Sequence, residues 1–185
     1  VKDEALASVV EQVKGREKSL HLHTSGTMPI TVFGADKPHA GIFYPFQTFS
    51  KARVIEDFST IPVFFEARGI DDISAVYSLA LTITSHVYEA TQHDRERLHV
   101  AGVYACNFMY TMASELLQNT HIPFSALLPL IDETALKIHS LSPCDAQTGP
   151  ARRGDENVMN HHLNLLNEEQ KEVYRLLSEA IRKRS

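Results

Sequence analysis

The sequence predicts an α/β portion followed by an all-helical portion. Three observations carry this expectation. Three short apolar segments, Ser19–His23, Gly41–Tyr44 and Ile61–Ala67, are bounded by turn-forming residues and read as strands. From Asp71 onward the apolar residues recur at helical spacing. Within that half, Asp94–Gln118 reads as one helix of about seven turns, ~40 Å long. Between Val100 and Tyr110 it is apolar or small on every side except at Asn107, the pattern of a helix buried all round. The expected division is residues 1–67 and residues 68–185.

An apolar fraction of 43% allows a real core. A formal net charge of −5 argues against nucleic acid, because phosphate binding needs a basic face. The one basic run, Arg182-Lys183-Arg184, ends the last helix, where cations suit the helix dipole. His99 and Asn107 interrupt the longest apolar stretch, so no membrane span is expected. Two cysteines make no disulfide framework, and Cys106 reads as an inert packing thiol. With no signal peptide in view, the expected location is cytoplasmic.

Taken in order, Asp3–Lys14 is an amphipathic helix that Gly15 can end. The first strand runs into Thr24-Ser25-Gly26, a small polar turn at the strand's C-terminal end, where α/β sheets gather ligands. Met28–Lys37 holds a short helical turn, and the second strand stops at Pro45. The loop Tyr44–Ser50 is too aromatic for a simple linker. Asp71 or Asp72 caps a helix through Ile83, and Ser85–Glu89 is an extended link. Pro123–Ser140 is a helix with Leu127, Leu128, Ile131, Ala135 and Ile138 inward. After the loop Leu141–Gly154, Asp155 caps a helix to Leu166, and Asn167 or Glu168 starts the last one, to Arg184. Three short strands are a minimal sheet. Residues 1–67 therefore read as the second half of a larger sheet domain, completed by upstream residues or by another subunit.

Several residues are candidates for chemistry. His99 and Asn107, eight residues apart, share a helix face two turns apart. They are either a satisfied core polar pair or the lining of a polar site. His21 and His23 share one strand face at a spacing that can hold zinc, but no third ligand is evident and no metal is expected. Ser25 lacks a nucleophile elbow. Thr24-Ser25-Gly26 instead offers donors to a ribose or phosphate, or is an ordinary turn. Thr148–Asp155 carries two arginines, two glycines and a proline before a helix, which suits an anion, or is a plain helix entry capped by Asp155. His161-His162 and Asp132-Glu133 read as surface residues.

Four ordered stretches carry a family resemblance: His23-Thr24-Ser25-Gly26, Tyr44–Phe49, His99–Phe108 and Thr148–Asp155. Through them the chain resembles the Rossmann-like, NAD(P)-dependent oxidoreductases whose C-terminal helical domain is a domain of unknown function. That helical domain is similar to the C-terminal domain of 6-phosphogluconate dehydrogenase and of pyrroline-5-carboxylate reductase. The resemblance implies that residues 1–67 are the C-terminal part of a Rossmann-like nucleotide-binding domain, an α/β remnant. It implies that residues 68–185 are an all-α, 6-phosphogluconate dehydrogenase C-terminal-like domain for dimerisation and substrate binding. The cofactor would be NADP or NAD, with its glycine-rich pyrophosphate loop expected upstream of Val1. Family members commonly carry His-Pro-Leu-Gln-Thr-Phe where Tyr44 begins the matching loop, which replaces an imidazole by a phenol. Related β-hydroxyacid dehydrogenases place a catalytic lysine four residues before an asparagine on the matching helix. Val103 stands there in this chain.

The expected protein is a homodimeric oxidoreductase acting on a small polar substrate between the two halves. His99 and Asn107 are the candidate catalytic residues, since His99 is the helix's residue able to change charge near neutrality. Tyr44, Gln47, Thr48 and Arg153 are assigned to substrate, and Thr24, Ser25 and Gly26 to cofactor. The alternative is a non-catalytic dimeric cofactor-binding or scaffold protein of the same fold.

Overall fold

The computed structural model describes every residue except Lys14, Glu17, Met109, Asn119 and Ser185. It divides into two compact units, Val1–Phe108 and Met109–Ser185. The first unit thus runs past residue 67 to include two further helices and a fourth strand.

In the first unit a mixed four-stranded sheet is built in chain order: β1 (His21–His23), β2 (Ala40–Pro45), β3 (Val63–Ala67) and β4 (Val87–Glu89). β1 runs parallel to β2, β3 antiparallel to β2, and β4 parallel to β3. The link expected at Ser85–Glu89 is this fourth strand, three residues long and too short to show a period of two. Helix α1 (Asp3–Gln12) precedes the sheet, and a single 3-10 turn spans Ile30–Phe33. Helix α2 (Ile70–Leu81) follows β3, and α3 (Gln92–Cys106) follows β4.

Strand pleating sorts the residues onto two faces. Phe43, Val63 and Phe65 pack on Val76 and Ala80 of α2 and form the core. The register aligns Tyr44 with Phe64 and Phe64 with Tyr88, an aromatic row on the other face. Phe64 and Tyr88 stack, their ring centroids 5.2 Å apart. His23, paired with Ile42, and Glu66, paired across from Ile42, share that second face. Gly41 is required where the strands close up: a Cβ there would lie 2.7 Å from the Glu66 carbonyl oxygen and 2.9 Å from Leu22.

Several expectations are corrected. Neither Asp71 nor Asp72 caps α2. Gly69 is its N-cap, both acids lie in the first turn, and Asp72 Oδ1 instead pairs with His39 Nδ1 at 3.0 Å. Asp94–Gln118 is not one helix. Thr91 starts α3 by accepting the Asp94 amide, Asn107 is its C-cap, and α4 (Tyr110–Leu117) is separate. Nor is the stretch buried all round. Val100, Tyr104 and Phe108 are 55%, 65% and 55% exposed. The buried side chain of α3 is a charged one, Arg95, because only its sheet-facing side is covered. Cys106 is exposed rather than packed.

Among its described residues the second unit has helices, turns and loops but no strand. A 3-10 turn at Phe124–Leu127 leads into α5 (Leu128–Lys137). Leu127 and Ile131 are half-buried, whereas Leu128 and Ile138 are exposed, so the inward stripe is narrower than expected. The loop Leu141–Gly154 contains two single-turn helices, α6 (Pro143–Ala146) and α7 (Pro150–Arg153). Asp155 caps α8 (Glu156–Leu165), as its position before the apolar run requires. Asn167 and Gln170 form a capping box on α9 (Glu168–Arg182). His161 is exposed, whereas His162 is half-buried, its Nδ1 2.8 Å from the Tyr174 hydroxyl between α8 and α9.

Candidate functional site

The second sheet face of the first unit places a polar cluster beneath a cleft. The Tyr44 hydroxyl lies 2.9 Å from His99 Nδ1, joining the end of β2 to α3. Burial pushes the Tyr44 phenol up from its ordinary value, with the nearby Arg95 guanidinium opposing. The phenol therefore keeps its hydrogen and can donate to a neutral His99 ring. When the ring is protonated, its Nδ1–H donates to the same oxygen. One hydroxyl serves both charge states, and in each the Nε2 edge of His99 stays free of Tyr44.

Gly26 closes over this pair. It is buried, and a Cβ there would stand 2.7 Å from His99 Nδ1 and 2.8 Å from the Tyr44 hydroxyl. The Thr24-Ser25-Gly26 turn and the Tyr44–His99 pair are thus one assembly. Ser25 is committed within the turn: its Oγ accepts the Thr27 and Met28 amides at 3.2 and 3.0 Å. The Thr27 hydroxyl donates to Asp3 Oδ2 at 2.7 Å. That bond is the main reason the Asp3 carboxyl sits below the usual carboxylate range. Thr24 is exposed, which leaves its hydroxyl on the surface of the turn.

Arg95 lies under the assembly, 1% exposed. It donates to Glu66 Oε2 and to the Met28 carbonyl, both at 2.8 Å, and its Nε–H has no partner. Neither Arg95 nor Glu66 was singled out from sequence. A signal existed: one carboxylate in an otherwise apolar strand needs a buried cation.

Above the pair, a cleft of ≈ 350 Å³ is lined by Tyr44, Phe46–Phe49, His99, Gly102, Val103, Cys106 and Asn107. Its floor is aromatic, with Phe46 edge-on to both Tyr44 and Phe64. Gln47 and Thr48 are exposed at its rim, where the Thr48 amide and hydroxyl donate to Gln47 Oε1. Phe46 rests on Gly102, where a Cβ would come 2.7 Å from the ring. Gly102→Ala is expected to displace Phe46 and cost about 1–3 kcal/mol of stability, read by urea denaturation. An unchanged midpoint would mean that the ring moves freely.

Tyr44, Gln47, Thr48, His99 and Asn107 therefore line one cleft, with Gly26 against its Tyr44–His99 end. Arg153 belongs to the second unit, where it is exposed at the end of α7, between Gly149 and a left-handed Gly154. Among the described residues no group of three or more His, Cys, Asp or Glu could hold a metal ion. Likewise no described helix is long and apolar enough to cross a membrane.

Comparison with known proteins gives four findings. The curated proteins provide no match. A crystal structure from Bacteroides fragilis, named a "putative NADP oxidoreductase", is 45% identical with a TM-score of 0.91, over 99% of this chain and 73% of that one. A crystal structure of a Thermotoga maritima protein shares the fold, with a TM-score of 0.80 at 20% identity, over 100% of this chain and 76% of that one. The family described as Domain of unknown function (DUF2520) matches residues 61–181, most of the chain, so the protein belongs to that family.

Proposed function

We propose that the protein is an NADP-type oxidoreductase that acts on a small polar carbonyl or imine compound held in the Tyr44–Asn107 cleft. The observation that carries this reading is the Tyr44–His99 pair, seated between the Gly26 turn and the cleft. The name of the 45%-identical Bacteroides fragilis protein supports the cofactor class.

The residues fit such a cofactor in part. Thr24 offers a hydroxyl, and Gly26 offers a backbone with no Cβ at the C-terminal end of β1. No glycine-rich pyrophosphate loop occurs within residues 1–185. The bound cofactor supplies the hydride. In the reducing direction, imidazolium His99 gives its Nε2 proton to the substrate oxygen or nitrogen and is left neutral, with its hydrogen on Nδ1 facing Tyr44. Asn107 orients the substrate's polar group, and Gln47 and Thr48 bind it from the rim. Arg153, exposed at the end of α7 in the second unit, offers a guanidinium fork suited to a carboxylate or phosphate.

The second unit is read as a 6-phosphogluconate dehydrogenase C-terminal-like domain that dimerises. Leu130 and Leu136 on α5, and Leu176 and Leu177 on α9, are exposed large apolar groups of the kind a second copy covers. Light scattering at micromolar concentration is expected to give twice the monomer mass, and a monomer overturns the dimer. Hydride transfer from NADPH and NADH to small keto acids and imines, with full-length protein, tests the enzyme reading. A non-catalytic cofactor-binding role is favoured by one observation: Val103, not a lysine, lines the cleft. Cofactor binding without turnover across the panel would select it.

A further inference from the structure

His23 is used by no step above, yet it is buried at the end of β1 with its ring stacked on Phe33, centroids 5.5 Å apart. Its Nδ1 accepts the Ser25 amide at 3.2 Å. An imidazole nitrogen that accepts carries no hydrogen, so the ring is neutral and its hydrogen sits on Nε2. That Nε2 is buried as well. What Nδ1 does is set the backbone of the turn whose next residue, Gly26, touches Tyr44 and His99.

We propose that His23 is a positioning residue: its neutral imidazole, by accepting the Ser25 amide, holds Thr24-Ser25-Gly26 in the shape that meets the cofactor, and its protonation releases the turn. The proposal rests on the reading of that turn as a cofactor contact. The charged groups around His23 are Asp3 of α1, Glu66 of β3 and Arg95 of α3. Burial keeps its proton affinity below the usual histidine value, helped by Arg95; the Pro29 carbonyl, Asp3 and Glu66 oppose. The sign follows. The folded form resists the proton that an unfolded histidine accepts near 6.5. The ordered turn is thus complete above that pH and is lost as pH falls through the lower, folded value.

Two asparagine-type variants separate hydrogen bonding from bulk. His23→Asn places an amide oxygen where Nδ1 was; His23→Gln moves it one bond further out, away from the Ser25 amide. Both are uncharged at every pH. With full-length protein, NADPH affinity is read by fluorescence titration between pH 8 and 5. Wild type is expected to hold its affinity to about pH 6.5 and then lose it. His23→Asn should bind within a few-fold of wild type at pH 8 and show no acid loss beyond that of the other groups. His23→Gln should bind about tenfold more weakly at pH 8, the effect of one missing hydrogen bond. An acid limb in His23→Asn equal to that of wild type overturns the proposal, as does equal binding by Asn and Gln.

Nitrogen NMR of the imidazole gives a readout independent of any ligand. The Nε2–H tautomer and a protected Ser25 amide are expected at neutral pH, both lost together on acidification. An Nδ1–H tautomer, or a Ser25 amide indifferent to pH, overturns the positioning role even if NADPH binds. If the NMR holds and NADPH does not bind, the cofactor reading fails and the control of the turn by His23 stands.

Discussion

Arg95→Met is expected to destabilise the protein by about 3 kcal/mol. The guanidinium is buried, and two of its donors are engaged, by Glu66 and by the Met28 carbonyl. Removing one partner of a buried ion pair leaves the other charge uncompensated, at about 3–5 kcal/mol. The Glu66 side chain is 26% exposed, so water relieves part of that and the lower end applies. The Met28 carbonyl also loses its donor, which loosens the base of the Gly26 turn. Urea denaturation measures the loss. Adding Glu66→Gln should recover a good part of it, since no bare carboxylate then remains. A single variant within 1 kcal/mol of wild type would show that the pair contributes nothing net.

His99→Gln is expected to lower kcat about 10²–10⁴-fold while leaving NADPH affinity within a few-fold, because it removes the proton donor and keeps a similar shape. Tyr44→Phe should cost about tenfold. It leaves the imidazole in place and removes the hydroxyl that orients it, one hydrogen bond's worth of positioning. The double variant should match His99→Gln rather than the product of the two, since Tyr44 acts through His99. These rates are to be measured with whichever keto acid or imine the wild type turns over. Full turnover by His99→Gln removes His99 from the chemistry and returns the pair to a structural contact.

The cleft-lining residues were legible because their sequence signals are local. The turn after β1 and the aromatic loop after Pro45 are composition cues that need no tertiary information. His99 and Asn107 followed from helical spacing. Asp155 and Asn167 were legible as caps for the same reason. What failed to show depends on distance. Arg95 looked like one of several charges in a helix's first turn, and only Glu66, 29 residues away, explains its burial. The sequence reading of one long helix, Asp94–Gln118, failed because an apolar circumference states a demand for cover. It does not say that this chain alone meets it. Strand β4 was missed because three residues cannot display alternation.

The strand order has a kinetic consequence. Each strand pairs with its neighbour in sequence, so the sheet can grow as the chain leaves the ribosome, without an early strand waiting for a late one. The bonds of the candidate site are the opposite case. Arg95 grips Met28 across 67 positions, and His99 reaches Tyr44 across 55. Their loop-closure entropy is met only when α3 docks on a finished sheet. A chain halted before α3 therefore has a sheet and no site, and every fluctuation that lifts α3 dismantles the site while the sheet persists.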